Sequence, residues 1–185
     1  IKNGVDIDFN QEVKSVQMDE NGVHTICANG KIYDAPKVLI TLSLPVLNQI
    51  NFNPAIPEKM AAASKIGFGS VIKILLLFKD RWWINAFGKD LNKLIFLRSD
   101  EAVAIWWTQY PELHPLLTGW VGSQKAENLK NASPDEILGL VTVSLSNIFK
   151  VEKEKLRGEL VNSKVANWSA DPFTQGAYSY NMVDS

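Results

Sequence analysis

The chain has 185 residues, 46% of them hydrophobic and 21% charged, with a formal net charge of −1. This is the profile of an ordinary globular chain, long enough for one domain or pieces of two. Near-neutral charge gives no reason to expect nucleic acid or an anionic membrane as partner, and no apolar run reaches spanning length. The single cysteine, Cys27, excludes an internal disulfide framework and fits a reducing compartment.

Residues 5 to 42 read as a three-stranded antiparallel unit. Val5-Asp6-Ile7-Asp8-Phe9 alternates, as does Val13-Lys14-Ser15-Val16-Gln17-Met18. Asn21-Gly22 supplies a turn into Val23-His24-Thr25-Ile26-Cys27-Ala28, and Asn29-Gly30 a second one. Past Pro36, Val38-Leu39-Ile40 is a short continuous apolar run of the kind found in strands covered on both faces. Pro45 to Ile50 reads as a short helix. Pro57 suits the first turn of another, running to about Lys65 with Met60, Ala61 and Ser64 on one face and Gly67 and Gly69 ending it.

A long apolar strand follows, Val71-Ile72-Lys73-Ile74-Leu75-Leu76-Leu77-Phe78. Its lysine is either turned to water by strand alternation or placed at a site that needs it, because unpaired ammonium groups are seldom buried. Strand-like segments recur at 93–97, 103–108 and 116–121. Ser133-Pro134-Asp135-Glu136 carries a capping box, and Ile137, Leu140, Val141, Leu145 and Ile148 keep helical spacing to near Lys150. A last extended segment runs from Leu160 to Trp168. Mixed strands with two principal helices make the class α+β.

Gly67-Phe68-Gly69 tempts as a phosphate loop, but Ile72 stands where a third glycine belongs and a strand, not a helix, follows. His24 and His114 lack metal-like spacing and read as surface residues, so no metal is expected. Trp82-Trp83 and Trp106-Trp107 read as core or pocket wall.

Several motifs in order resemble the flavin-containing amine oxidases, the family of monoamine oxidases, polyamine oxidases and flavin-dependent histone demethylases. They are Asn10 to Val16, Thr41-Leu42-Ser43-Leu44-Pro45-Val46-Leu47, Phe52-Asn53-Pro54-Ala55-Ile56-Pro57, Gly69 to Lys73, Trp82-Trp83, and Trp168 with Gly176-Ala177-Tyr178-Ser179-Tyr180. The resemblance implies an FAD enzyme in which an amine C–H gives hydride to flavin and oxygen reoxidises it. Val13 would meet the adenine through its backbone and Thr41 would lie near the cofactor. Lys73 would hold a water against the flavin nitrogen that accepts hydride, in a dry pocket that disfavours its ammonium. Trp168 would pack beside the flavin ring, and Tyr178 would form one wall of an aromatic cage for the amine. Ala177 stands where monoamine oxidases carry the cysteine that bonds to flavin, so the cofactor is expected to be non-covalent. Ser43 departs from the family's proline.

The resemblance also implies an organisation. Residues 1–45 would be strands of the FAD-binding domain, 46–166 the substrate-binding domain and 167–185 a return segment. The family's dinucleotide fingerprint is not in the sequence, and the chain neither starts with Met before Ile1 nor ends in a natural-looking way at Ser185. An internal piece of a longer cytoplasmic enzyme is therefore expected, needing the remainder of its own chain to complete the FAD site and inactive by itself. Two rivals remain: a desaturase or protoporphyrinogen-oxidase-like enzyme of the same fold, and a non-catalytic binding module.

Overall fold

The computed structural model describes residues 4–183, so Ile1, Asp184 and Ser185, at the ends singled out above, lie outside the described residues. The chain forms two compact units. One takes residues up to Phe68 together with those from Ser179 onward, and the other is Gly69–Tyr178.

In the first unit, β1 (Val13–Asp19), β2 (Gly22–Cys27) and β3 (Ile32–Ala35) form an antiparallel meander, the first two strands close to where the sequence suggests them and the third ahead of the apolar run expected to pair. Asp19 pairs with Gly22, which puts Glu20 and Asn21 at the tip, one residue earlier than the sequence suggests. Gly22, at φ 138°, opens β2 with no room for a Cβ beside the Ala35 carbonyl. α1 (Leu44–Leu47) leads to β4 (Asn51–Asn53), which pairs in parallel with β1 and completes the order β3-β2-β1-β4.

Two expected strands do not form. Val5, Ile7 and Phe9 are exposed, and both edges of β1 are taken by β2 and β4. The segment is held by charge instead: Asp8 accepts hydrogen bonds from Lys31 Nζ at 2.6 Å and from the Tyr33 hydroxyl at 2.5 Å. Val38-Leu39-Ile40 forms no strand, and Leu39 is 87% exposed, because no element among the described residues covers it. α2 (Pro57–Ser64) begins at its proline, but it buries Ala63 rather than the Met60, Ala61 and Ser64 face. Gly67 and Gly69 do not terminate it; they lie in β5 (Ile66–Gly69).

The second unit is built on β6 (Val71–Phe78), paired antiparallel on one edge with β10 (Leu160–Asn167) and on the other with β9 (Leu116–Gly122). β8 (Ile105–Trp107) and β7 (Phe96–Arg98) extend the sheet to the order β10-β6-β9-β8-β7. Ile72, Ile74, Leu76 and Phe78 point into the core with Leu117, Val121 and Trp106, under Ile137, Val141 and Leu145 of α4 (Pro134–Phe149). The capping box of α4 is complete: Ser133 Oγ accepts from Glu136 N–H at 3.2 Å, and Glu136 Oε2 accepts from Ser133 N–H at 2.7 Å. Two short helices, α3 (Ser123–Asn128) and α5 (Lys153–Glu159), escaped the sequence reading because each buries a single side chain, Ala126 and Leu156, and shows no periodic stripe. β11 (Tyr178–Asn181) pairs with β5 in a separate two-stranded sheet. No helix among the described residues is long and apolar enough to cross a membrane.

His24 lies at the surface, as its spacing suggests, but it is tied down there. Its ring reaches Asp34 at 2.6 Å and Asp19 at 3.3 Å, joining all three strands of the meander. The Asp34 hydrogen bond, then that of Asp19, raises its pKa above the ordinary 6.5 despite some desolvation. The stability it adds is therefore complete below pH 6.5 and lost as pH rises through the elevated value. Asp19, lowered chiefly by the Asn21 backbone N–H, contributes in the opposite sense, losing its share only as pH falls below the usual carboxylate range. The urea midpoint of His24→Gln should lie below that of the wild type at acidic pH, with the gap closing as pH is raised above 6.5. A gap of constant size would mean that the charge on His24 stabilises nothing.

Candidate active site

The five residues singled out from sequence divide between the units. Val13 and Thr41 belong to the first, where Val13 opens β1 half-buried opposite Cys27 and Thr41 lies exposed beyond the unpaired apolar run. Lys73, Trp168 and Tyr178 belong to the second, and the fold brings them onto one stretch of chain.

That stretch is residues 69 to 73. Ala166 of β10 pairs with Lys73, and beyond the end of β10 the Trp168 N–H donates to the Val71 carbonyl at 3.1 Å. The chain then turns on Asp171, whose carboxylate accepts from Phe173 N–H at 2.9 Å and Thr174 Oγ1 at 3.0 Å. Gln175 at φ 53° and Gly176 at φ 146° reverse it, so that Gly176 N–H donates back to the Trp168 carbonyl at 2.9 Å. Ala177 N–H then donates to the Gly69 carbonyl, also at 2.9 Å, and β11 begins. Residues about a hundred positions apart in sequence thus hang on alternate backbone positions 69, 71 and 73.

Glycine makes this possible. A Cβ at Gly69 would run into the ring of Tyr178, and one at Gly67 into the ring of Tyr180. The Gly-Phe-Gly motif is therefore a pair of seats for tyrosine rings, where the absence of a side chain lets an aromatic lie on the backbone of its partner strand. Trp168 and Tyr178 stay 40% and 39% exposed.

Lys73 points away from the core. Its outward face is written by the register: Ala166, Lys73, Trp120, Ile105 and Arg98 form one row across all five strands. The row Lys164, Leu75, Thr118, Trp107 and Phe96 runs beside it. Between them lies the inward row of Val165, Ile74, Gly119, Trp106 and Leu97. The tryptophan pairs are thereby split. Trp83 and Trp106 are 1% exposed core, whereas Trp107 lies on the outer face with the Lys73 ammonium 5.7 Å from its ring centre. Lys73 is exposed and has no carboxylate partner among the described residues, so these residues alone do not make the dry pocket expected for it. Sequence reasoning missed Trp120, which no motif flags. Only knowledge of the register shows it opposite Lys73.

Chemically, the face offers aromatic and aliphatic surface, the Lys73 and Lys164 ammoniums without a carboxylate partner among the described residues, and two tethered aromatic rings. Among the described residues there is no group of His, Cys, Asp or Glu suited to a metal ion. Asn167 anchors the end of β10 by donating to the Leu129 and Lys130 carbonyls at 3.3 and 3.0 Å.

Comparison with known proteins follows the same lines. The profile of the family described as flavin containing amine oxidoreductase matches residues 1–185. The chain is 28% identical to a histone demethylase-like protein A of Aspergillus fumigatus, across 95% of this chain and 18% of that protein. It is 27% identical to lysine-specific histone demethylase 2 of Homo sapiens, across 96% of this chain and 22% of the relative. The chain thus spans about a fifth of the curated relatives it matches. Its fold also matches a putrescine oxidase redesigned in its cofactor binding, with a TM-score of 0.74 at 20% identity, over 96% of this chain and 39% of that one.

The seat at Gly69 yields a stability test. Alanine for glycine in a strand ordinarily stabilises, so a penalty here reports the collision with Tyr178. Gly69→Ala should cost about 1–3 kcal/mol in urea unfolding, as overpacking does. In a Tyr178→Ala background the same change should cost little or nothing, a coupling expected only between touching groups. Equal penalties in both backgrounds would show that the ring does not rest on Gly69.

Proposed function

The chain belongs to the flavin containing amine oxidoreductase family, and we propose that it forms part of a longer FAD-dependent enzyme that oxidises a small-molecule amine. The reading rests on one observation above all, the convergence of Lys73, Trp168 and Tyr178 on backbone positions 69 to 73. On this reading the first unit contributes strands of the FAD-binding domain, with Val13 at the adenine end and Thr41 near the cofactor. The second unit is the substrate domain. Because the chain spans only about a fifth of its curated relatives, catalysis by the chain alone is not expected. The buried, unbridged Cys27 suits a reducing location such as the cytoplasm.

The residues present fit a flavin. Trp168 and Tyr178 offer exposed aromatic surface held on fixed backbone, and Lys73 is a cation no carboxylate neutralises among the described residues. FAD would supply the hydride acceptor, with molecular oxygen as the final oxidant. Trp168 would pack beside the flavin ring. Tyr178 presents its ring to the amine, whose nitrogen is drawn to an aromatic face as a cation and tolerated there when neutral. With FAD bound, Lys73 Nζ would be the group that holds and polarises a water beside the flavin, from a fixed place on its strand. Ala177 has no thiol to bond to the cofactor, so FAD would be held there without a covalent bond.

Two measurements on the full-length, FAD-loaded protein test this. Lys73→Met should retain flavin yet slow flavin reduction or reoxidation by ~10²-fold in stopped flow, the loss typical of one polarising group at a charge-developing centre. Superimposable traces in both half-reactions would make Lys73 structural. Acid denaturation should release all of the flavin into solution; flavin that stays on the precipitated polypeptide would contradict non-covalent binding.

A further inference from the structure

The two outward rows of the second unit hold three cations, Lys73, Lys164 and Arg98, and no carboxylate. Nothing in the amine-oxidase reading, on which the following rests, uses Arg98. It ends the row that begins at Ala166, three strands from Lys73. At about 4.8 Å between neighbouring strands, that places it about 14 Å away along the face.

Arg98 borders a hollow of about 400 Å³, walled by Phe96, Ile105 and Trp120 and lined also by Lys125. The hollow has built walls. Trp120 lies over Gly122, where any Cβ would meet its ring, so the indole is laid along its own strand toward the hollow. Lys125 is steadied by donating from Nζ to the Glu101 carbonyl at 3.3 Å. The Glu101 carboxylate is turned to Asn147 Nδ2 at 3.1 Å, leaving Asp100 as the one acid that lines the hollow. Arg98 makes no ion pair among the described residues. Two cations against one acid, beside aromatic walls, suit a planar anion at the end of an apolar linker, which a guanidinium holds in a two-pronged grip.

We propose that this hollow receives the far end of the substrate, and that the end it selects is a carboxylate. The preferred substrate is then a long amine carrying a carboxylate at its far end, on the scale of the about 14 Å that three inter-strand steps put between the Lys73 and Arg98 positions. The same cations repel a second ammonium, so an α,ω-diamine of equal length is discriminated against by charge as well as by the missing contact.

The test uses the full-length FAD holoenzyme and three substrates of one chain length: an ω-amino carboxylate spanning about 14 Å, its ω-amino amide, and the α,ω-diamine. The readout is the ratio of kcat/KM values, which cancels any general loss. The carboxylate should exceed the amide by roughly tenfold, the scale of one charge-assisted hydrogen bond, and the diamine should rank last. Arg98→Gln should bring carboxylate and amide level, and Lys125→Gln should narrow their gap, with flavin content unchanged in both. Arg98 is exposed, so the substitution leaves the core untouched. Oxidation of all three at similar rates, or an advantage that survives Arg98→Gln, overturns the subsite while leaving amine oxidation standing. A holoenzyme that oxidises no amine, including a short monoamine, overturns both.

Discussion

The pairing of β6 on both of its edges governs the rest of the second unit. With β10 on one side and β9 on the other, every residue of Val71–Phe78 has a fixed neighbour and a fixed face. A slip of one residue would send Ile72, Ile74 and Leu76 to water and bring Lys73 under α4, so the hydrophobic set holds the register. The register in turn decides which side chains share the outer face with Lys73. The catalytic reading and the charge pattern of the outer rows are both consequences of burying the opposite face.

That outer face is an unusual surface to leave open. Phe96 and Leu77 are well exposed, and Trp107 and Trp120 are only half covered, in a patch rimmed by cations. A contiguous apolar area of this sort marks a place where something binds. The total charge of −1 conceals it, since neither outward row carries an acid to balance Lys73, Lys164 and Arg98. Charge sorted by face carries information about ligands that charge summed over the chain does not.

Much of this was legible in the sequence, and what was not has identifiable causes. The capping box at Ser133, the helical spacing of Ile137, Val141 and Leu145 in α4 and the apolar run of β6 are local signals, and the structure agrees with all three. The Val5–Phe9 and Val38–Ile40 readings failed because alternation and apolarity say only that a segment can pair; the place beside β1 went to β4. Gly67 and Gly69 were misread as a helix stop. Their real role depends on Tyr178 and Tyr180, far along the chain, and no local rule can show that. Lys73, Trp168 and Tyr178 were found through ordered motifs, whereas Trp120 and Arg98 belong to no motif and emerge only from strand register.

The ring of Tyr178 resting on Gly69 also limits how such a chain can change over time. While an aromatic occupies position 178, position 69 admits no side chain, so any lineage that acquires one there must first have given up the ring. The order of the two substitutions is not reversible without passing through a strained protein. The same holds for Gly67 and Tyr180. Two pairs of sites more than a hundred residues apart are bound to change together or not at all, a signature that should be visible as paired substitution whenever many relatives are compared.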